Sequence, residues 1–206
     1  MVKAYTYLAL GDSYTIGESV PLSDAFPHRL TTQLAGAGLA FSPPKIIATT
    51  GWTTDELQAA IKAENIQEKY DLVTLLIGVN NQYRGYPLDT YRSEFADLLA
   101  QAIGFAGQRS DRVFVLSIPD WGLTPFGQAS GRPTAQVAAE IDAFNEVNRR
   151  ESEKKNVVYT DITPGSRKAL SDPSLVAIDG LHYAAKLHEQ WASAVLPKVL
   201  HSINPV

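Results

Sequence analysis

The sequence predicts one three-layer α/β/α domain over residues 1–206, with a five-stranded parallel sheet at its centre. Five short apolar segments, bounded by Gly, Pro or Asp, alternate with five longer segments of helical periodicity. This alternation is typical of a parallel sheet that helices cover on both faces. A chain of 206 residues with 45% hydrophobic content is also long and apolar enough to bury a substantial core.

The predicted elements follow one another in a regular order. The strands are expected at 5–10, 45–50, 71–77, 112–118 and 157–160. The helices are expected at 25–37, 54–63, 88–107, 135–155 and 184–203. In the fourth helix Ile141, Phe144 and Val147 recur at helical spacing, and Pro197 predicts a kink in the last helix.

Composition excludes several classes of function. The net charge of −4 and the lack of a basic cluster argue against a nucleic-acid partner. The absence of cysteine excludes disulfides and thiolate chemistry. No apolar run reaches membrane-spanning length, and the N-terminus does not read as a signal segment. We therefore expect a cytoplasmic protein without stable membrane insertion; the sequence leaves its oligomeric state open.

Polar residues that can carry chemistry follow the predicted strands. Ser13 comes after the first strand, Gly51 after the second and Asn80 after the third, while His182 precedes the last helix. Ligands bind outside the carboxyl ends of the strands in sheets of this kind. A hydroxyl, a histidine and an acid are the parts of a nucleophilic triad, and a backbone N–H and a carboxamide can hold an oxyanion.

The order of these residues resembles the SGNH/GDSL family of esterases and lipases. Ser13 stands in Gly-Asp-Ser, Gly51 follows the second strand, Asn80 stands in Gly-Val-Asn-Asn, and His182 closes an Asp-x-x-His block. The four matches span residues 11 to 182. The resemblance implies a flavodoxin-like SGNH hydrolase fold. The chain departs from the family pattern after Ser13, where Tyr-Thr-Ile replaces the usual Leu, and at Asn81, where Asp is usual.

The resemblance also implies a role for each residue. Ser13 is the expected nucleophile, His182 the general base and then acid, and Asp179 the carboxylate that orients the histidine. The oxyanion hole is expected to comprise the N–H groups of Ser13 and Gly51 and the side chain of Asn80. No cofactor and no metal are implied, and the partner is a small-molecule ester.

Several nearby residues offer competing interpretations. Asp161 ends a strand and is an alternative acid, although Asp179 is favoured because it is close to His182 in sequence. Asn81 is expected to be a neutral neighbour of Asn80. The remaining histidines are interpreted as surface or packing residues; they are His28, His188 and His201.

Aromatic residues in the same loops are candidates for a substrate pocket. We predict substrate contacts for Trp52, Tyr83 and Trp121, with Tyr86 and Phe126 in the same loops; packing of the loops is an equally good interpretation of each ring. Lipid-type, lysophospholipid, acyl-thioester and acetylated-sugar substrates all occur in the family. The expected function is hydrolysis of small or short-chain acyl esters through an acyl-enzyme.

The alternative is a flavodoxin-like module that binds a small ligand or phosphate without hydrolysis. Ser13, Thr15 and Gly17 loosely resemble a loop that holds phosphate. However, Asp12 and Glu18 would repel a phosphate, and this interpretation leaves the Asp-x-x-His block unexplained.

Overall fold

The sheet has five parallel strands, as the sequence predicted. The computed structural model describes residues 4–203, so both ends of the predicted domain 1–206 lie outside it. The strands are β1 (Tyr7–Gly11), β2 (Lys45–Ala48), β3 (Leu72–Leu76), β4 (Val113–Leu116) and β5 (Val158–Thr160). They pair in the order β2-β1-β3-β4-β5, and every pairing is parallel.

Five long helices match the predicted ones, with small shifts at their ends. They are α2 (Phe26–Gly36), α3 (Thr54–Glu64), α5 (Leu88–Phe105), α7 (Thr134–Lys154) and α9 (Ala185–Ile203). Four short helices lie where the sequence predicted neither a strand nor a helix: α1 (Ser13–Ile16), α4 (Val79–Tyr83), α6 (Pro125–Ala129) and α8 (Thr163–Ser166). Short 3-10 turns lie at Leu22–Asp24, Ser110–Arg112, Trp121–Leu123, Arg167–Leu170 and Pro173–Leu175. Helix α9 continues through the exposed Pro197.

The helices form a layer on each face of the sheet. α2 packs against α9, whereas α3 and α7 both pack against α5. This division follows from right-handed crossovers, because β1 to β2 runs in one direction across the sheet and β2 to β3 runs in the other. α5 shows how a helix joins the core: Tyr91, Phe95 and Leu98 recur at helical spacing and are all buried.

The strand order creates a crevice at the centre of the sheet. β1, β3 and β4 are buried throughout, while the edge strands β2 and β5 are partly exposed. The second strand lies on one side of β1 and the third on the other, so the order reverses between β1 and β3. Ligands bind at the carboxyl ends of the strands at such a reversal. Ser13 follows β1 and Asn80 follows β3, so both lie beside this crevice.

Candidate active site

Ser13 is the first residue of α1 and lies two residues after the end of the buried strand β1. The Asp12 carboxylate caps this helix, because its Oδ1 accepts a hydrogen bond from the Tyr14 N–H at 3.0 Å. The N–H of a residue at the first helical position has no partner within its own helix. Ser13 therefore presents both a hydroxyl and an N–H, although the residue itself is buried.

Asn80 reaches the crevice through a turn that only glycine can make. Gly78 has a φ of 127°, and a Cβ there would lie 2.3 Å from the Tyr91 hydroxyl oxygen. The Asn80 Nδ2 donates one hydrogen bond to the Trp52 carbonyl at 2.9 Å. A carboxamide carries two N–H donors, and the second has no acceptor among residues 4–203. That second N–H is available to a bound carbonyl oxygen.

Gly51 lies in the turn after β2 and has a φ of 87°. Its carbonyl accepts a hydrogen bond from Arg84 Nη2 at 2.6 Å, and Arg84 also pairs with Glu56 at 3.3 Å. No acceptor for the Gly51 N–H is found in the part of the chain that the structure describes. The Arg84 contact thus fixes the carbonyl side of this turn and leaves the N–H for another partner.

Asp179 and His182 form a compact turn that pairs a carboxylate with an imidazole. The Asp179 Oδ1 accepts hydrogen bonds from the N–H groups of Leu181 and His182, both at 2.9 Å. The Asp179 Oδ2 lies 2.6 Å from the His182 Nδ1. An N–H at Nδ1 that donates to this oxygen leaves Nε2 as the acceptor, which is the tautomer a general base needs.

Donors around Asp179 keep it ionised. Its limited burial acts to raise the pKa, but hydrogen bonds from the His182 ring, the Leu181 N–H and the Ser19 hydroxyl hold the pKa of Asp179 well below its usual range. A carboxylate that stays negative stabilises an imidazolium beside it. The charge needed next to His182 is therefore built into the turn.

Buried aromatic rings hold the imidazole from the other side. Tyr14 meets the His182 ring edge to face, with centroids 5.9 Å apart. Tyr14 also packs on Tyr183 at 5.8 Å and on Trp191 at 6.0 Å.

Between residues 4 and 203 no hydrogen bond joins the Ser13 hydroxyl to the His182 ring, although both line one cavity. Contacts of this kind often shorten only when substrate binds.

The cavity has a polar end and an aromatic end. Its volume is about 180 Å³, and it is lined by Ser13, Tyr14, Val79, Asn80, Tyr83, Trp121, Phe126, Leu181 and His182. At the aromatic end the Tyr83 ring centroid lies 5.3 Å from that of Trp121 and 6.4 Å from that of Phe126. A bound acyl group would meet apolar rings on one side and hydrogen-bonding groups on the other.

A polar network fixes Trp121 as the wall of the cavity. The Trp121 Nε1 donates to Gln82 Oε1 at 2.8 Å, and the Gln82 Nε2 donates to Glu140 at 2.6 Å. Arg132 pairs with Glu140 at 2.5 Å and lies 5.5 Å from the Trp121 ring centroid. The indole is thus held at its edge and covered on a face. Sequence reasoning did not identify Gln82 or Glu140, because they belong to different helices and share no motif.

The structure sorts the predicted aromatic residues into two groups. Tyr83, Trp121 and Phe126 line the cavity. Trp52 packs against the hydrophobic core and offers its carbonyl to Asn80 instead. Tyr86 is also outside the lining, and its hydroxyl faces Asp55 at 3.5 Å. The apolar lining residues Val79 and Leu181 were not predicted, although each is a direct neighbour of a predicted residue.

The competing acid and the other histidines have different surroundings. Asp161 accepts hydrogen bonds from the Ser117 hydroxyl at 2.9 Å and the Thr163 N–H at 3.1 Å, and His182 pairs with Asp179 instead. His188 is buried and accepts a hydrogen bond from the Phe26 N–H, and burial lowers its pKa to about 4. His28 is partly buried and His201 is exposed.

Asn81, the expected neutral neighbour of Asn80, has structural contacts of its own. It is fully buried, its Oδ1 accepts from the Thr54 N–H at 3.1 Å, and its Nδ2 donates to the Thr54 hydroxyl at 2.6 Å. These bonds join α4 to the start of α3, so the residue holds two segments of the site together. Sequence could not show this, because Thr54 lies 27 residues away.

Asp12 differs from Asp179 in its surroundings. It is fully buried, and its Oδ2 has no hydrogen-bond partner among the described residues. Burial raises the pKa of Asp12 to about 7, against the opposing effect of the Tyr14 N–H. A carboxyl with this pKa carries a proton over much of the acidic range.

Neither a metal cluster nor a membrane helix is found in the described chain. Within residues 4–203, no group of three or more His, Cys, Asp or Glu side chains is placed to hold a metal ion. Over the same residues, each helix is too short or too polar to cross a bilayer.

Comparisons with known proteins identify the family of this chain and agree with its fold. A sequence profile of the GDSL-like lipase/acylhydrolase family matches residues 9–190. A lipase/acylhydrolase from Enterococcus faecalis has a similar structure, with a TM-score of 0.74, 20% identity and 95% of each chain covered. TesA matches with a TM-score of 0.72 and 19% identity, covering 96% of this chain and 99% of TesA. The acetylxylan esterase Axe2 from Geobacillus stearothermophilus matches with a TM-score of 0.71 and 19% identity, covering 95% and 94%. A search of curated proteins finds no match.

Proposed function

Because this chain belongs to the GDSL-like lipase/acylhydrolase family, and is thus a carboxylic ester hydrolase, we propose that it acts through Ser13 as a nucleophile. One observation carries the proposal. The Asp179 Oδ2 lies 2.6 Å from the His182 Nδ1, and the histidine lines the same cavity as Ser13 and Asn80. Family membership also argues against the alternative of a phosphate-binding module without hydrolase activity.

The first half of the reaction forms an acyl-enzyme. The His182 Nε2 takes the proton from the Ser13 hydroxyl as its oxygen attacks the ester carbonyl. The carbonyl oxygen gains negative charge and is stabilised by the N–H groups of Ser13 and Gly51 and by the Asn80 carboxamide. When the tetrahedral intermediate collapses, the C–O bond to the alcohol breaks and His182 gives its proton to the leaving oxygen.

The second half returns the enzyme to its starting state. Water replaces the alcohol, His182 removes its proton, and the resulting oxygen attacks the acyl carbon. Collapse breaks the bond to Ser13, whose oxygen recovers the proton, and the carboxylic acid leaves. Asp179 stays ionised throughout, which keeps His182 in the right tautomer and stabilises the imidazolium in both halves.

The cavity favours a short acyl group. Its volume of about 180 Å³ is well below the roughly 300–1,000 Å³ of pockets that enclose drug-sized ligands. Tyr83, Trp121 and Phe126 line its apolar part, and the network behind Trp121 resists displacement of that ring. We propose acetyl and other short-chain esters as the preferred substrates, with the alcohol portion lying towards solvent.

A covalent probe tests the nucleophile. We expect a fluorophosphonate to add once to the protein, with the adduct on the peptide that contains Ser13, and to inactivate hydrolysis of p-nitrophenyl acetate. Ser13→Ala should not be labelled, whereas Ser23→Ala, a change at an exposed serine, should be labelled like the wild type. An adduct on another residue, full labelling of Ser13→Ala, or a fully labelled wild type that kept its activity would contradict the proposal.

A series of substrates tests the acyl preference. We expect kcat/KM for p-nitrophenyl esters to be highest for acetate or butyrate and to fall steeply for longer chains. Trp121→Ala should move the maximum to longer chains by opening the apolar end. A maximum at long chains in the wild type would refute the assignment of a short acyl group and leave the nucleophile untouched.

A further inference from the structure

The loop after the nucleophile, residues 17–20, has no role in the mechanism described above. It joins α1 to the 3-10 turn Leu22–Asp24. The N–H groups of Gly17 and Glu18 both donate to the Ser13 carbonyl, at 3.1 and 3.0 Å. The loop 17–20 is therefore anchored to the backbone of the nucleophile itself.

Ser19 links this loop to the turn that contains Asp179 and His182. Its hydroxyl donates to the Asp179 Oδ2 at 2.7 Å, across a separation of 160 residues. This is the same oxygen that receives the His182 Nδ1. Asp179 Oδ2 thus has two donors, one from the ring that it orients and one from the loop that follows the nucleophile.

Glu18 links the loop to the turn after β2, which contains Gly51. Its carboxylate accepts a hydrogen bond from the Thr50 hydroxyl. Thr50 directly precedes Gly51, whose N–H is expected to face the oxyanion. The loop 17–20 consequently contacts the nucleophile, the acid and the turn that contains Gly51.

The backbone of Ser19 adopts an unusual conformation. Its φ is 66°, in the left-handed region that residues other than glycine seldom occupy. Residues in such conformations persist where their surroundings hold them, and they concentrate at functional sites. Ser19 is exposed, so packing does not explain the conformation. The hydrogen bond from its hydroxyl to Asp179 is the contact that holds it.

We propose that Ser19 is a positioning residue that acts through Asp179. The proposal rests on the function proposed above. The two backbone N–H groups at Oδ1 hold one side of the carboxylate, and the Ser19 hydroxyl holds the other. The carboxylate plane is then fixed so that Oδ2 points at Nδ1. Without Ser19, the carboxylate tilts and His182 spends less time in the orientation that accepts the Ser13 proton.

Two substitutions separate the hydroxyl from the backbone. Ser19→Ala removes the donor and keeps the strained φ, whereas Ser19→Gly removes the donor and relieves the strain. We expect both to lower kcat for p-nitrophenyl acetate about 3- to 10-fold, as the loss of a hydrogen bond to a charged group would at a partly solvated position. KM should change by less than about twofold, because the hydroxyl does not touch substrate. Ser19→Asn, which tolerates this φ and keeps a donor, should recover part of the activity.

A double substitution tests whether the effect passes through Asp179. With Asp179→Asn already present, Ser19→Ala should lower kcat by less than about twofold, because coupled residues do not act additively. Equal losses from Ser19→Ala in both backgrounds would overturn the proposal, and so would wild-type kcat in Ser19→Gly. The matched control Ser23→Ala, in the adjoining 3-10 turn, should equal the wild type. If Asp179→Asn itself left kcat unchanged, the proposed triad would fail; if only the Ser19 variants did, this inference alone would fail.

Discussion

Two aspartates lie next to the proposed nucleophile and base, and their surroundings shift their pKa values in opposite directions. Asp12 directly precedes Ser13, is fully buried and has one oxygen without a partner among residues 4–203. Asp179 lies three residues before His182, at the surface, with donors on both oxygens. Burial raises the pKa of Asp12 to about 7, whereas hydrogen bonds, opposed by limited burial, hold the pKa of Asp179 well below its usual range.

The difference shows how position decides the chemistry of one side chain. A carboxyl enclosed by strand and helix loses solvent without gaining enough donors, so its neutral form is favoured. A carboxyl in a tight turn collects backbone N–H groups and remains charged. Asp12 thus serves as a helix cap without needing a charge, whereas Asp179 can serve as the permanent negative charge beside His182. The site likewise has two sides. The nucleophile side, Ser13 with Gly51 and Asn80, is assembled from distant segments, whereas the acid–base side, Asp179 and His182, is formed by one turn.

The largest expected effect comes from the nucleophile side. Ser13→Ala removes the only atom that we propose forms a bond to substrate. Loss of a triad nucleophile typically lowers kcat by about 10⁴- to 10⁶-fold. Steady-state kinetics on p-nitrophenyl acetate measures the loss, and the thermal unfolding midpoint should stay close to that of the wild type. More than about a tenth of wild-type turnover would exclude Ser13 as the nucleophile.

Asn80 should give the next largest effect. Its second amide N–H strengthens its hydrogen bond only as the carbonyl oxygen becomes negative. Asn80→Ala should therefore lower kcat about 10²- to 10³-fold and change KM little. Asn80→Asp should be at least as harmful, because it places a carboxylate against the developing oxyanion. Kinetics with a single activated ester measures both variants, and a change confined to KM would contradict an oxyanion role.

The adjacent residue provides the contrast to Asn80. Asn81 makes two buried hydrogen bonds with Thr54. Asn81→Ala leaves a buried N–H without a partner, which costs about 1–3 kcal/mol of stability. We expect a lower midpoint in urea for Asn81→Ala and an unchanged one for Asn80→Ala. Equal midpoints for the two variants would show that the α3–α4 link contributes little.

The sequence predicted the fold because the pattern of each element is local. Fully buried strands such as β1 and β3 read as apolar runs, and α5 shows its buried face at helical spacing. The Asp179–His182 contact was also within reach of sequence, because a turn of four residues brings the two side chains together. These features need no knowledge of how distant segments pack.

Contacts between distant segments were beyond the reach of sequence. The sequence leaves Trp52 open between a substrate contact and loop packing; in the structure its ring packs on the core and its carbonyl meets Asn80. The Gln82–Glu140 bond joins α4 to α7, and the Ser19–Asp179 bond spans 160 residues. The short helices α1 and α4 were missed because one turn is too short to show a period. These long-range contacts depend on how distant segments pack against one another, which no local pattern shows.

The acid–base side can be tested by comparing two acids. Asp179→Asn removes the charge next to His182 and favours the wrong tautomer, so kcat should fall roughly 10²-fold or more. Asp161→Asn is the matched control, because an amide oxygen can still accept from Ser117 and Thr163. We expect the control to retain near-wild-type kcat with p-nitrophenyl acetate. If Asp161→Asn were the impaired variant, the assignment of the acid would be reversed.

The smallest effect concerns Asp12 and appears in stability, not in kcat. The native pKa of about 7 lies above the value near 3.9 of an aspartate in an unfolded chain. Between these values the unfolded chain has lost the proton that the native protein keeps, so a rise in pH favours unfolding. The contribution of Asp12 to wild-type stability should therefore fall as the pH rises through this window and level off above about 7.

Asp12→Asn removes this titration while its Oδ1 can still accept from the Tyr14 N–H. We expect the free energy of unfolding of the variant to gain about 2 kcal/mol on the wild type between pH 5 and pH 7. His188 also titrates, since its native pKa is lowered to about 4, but it contributes equally to both proteins and cancels in their difference. Urea unfolding at pH 5, 6, 7 and 8 gives that difference directly. Parallel curves for the two proteins would mean that Asp12 is ionised in the native state across this range, and the contrast with Asp179 would then disappear.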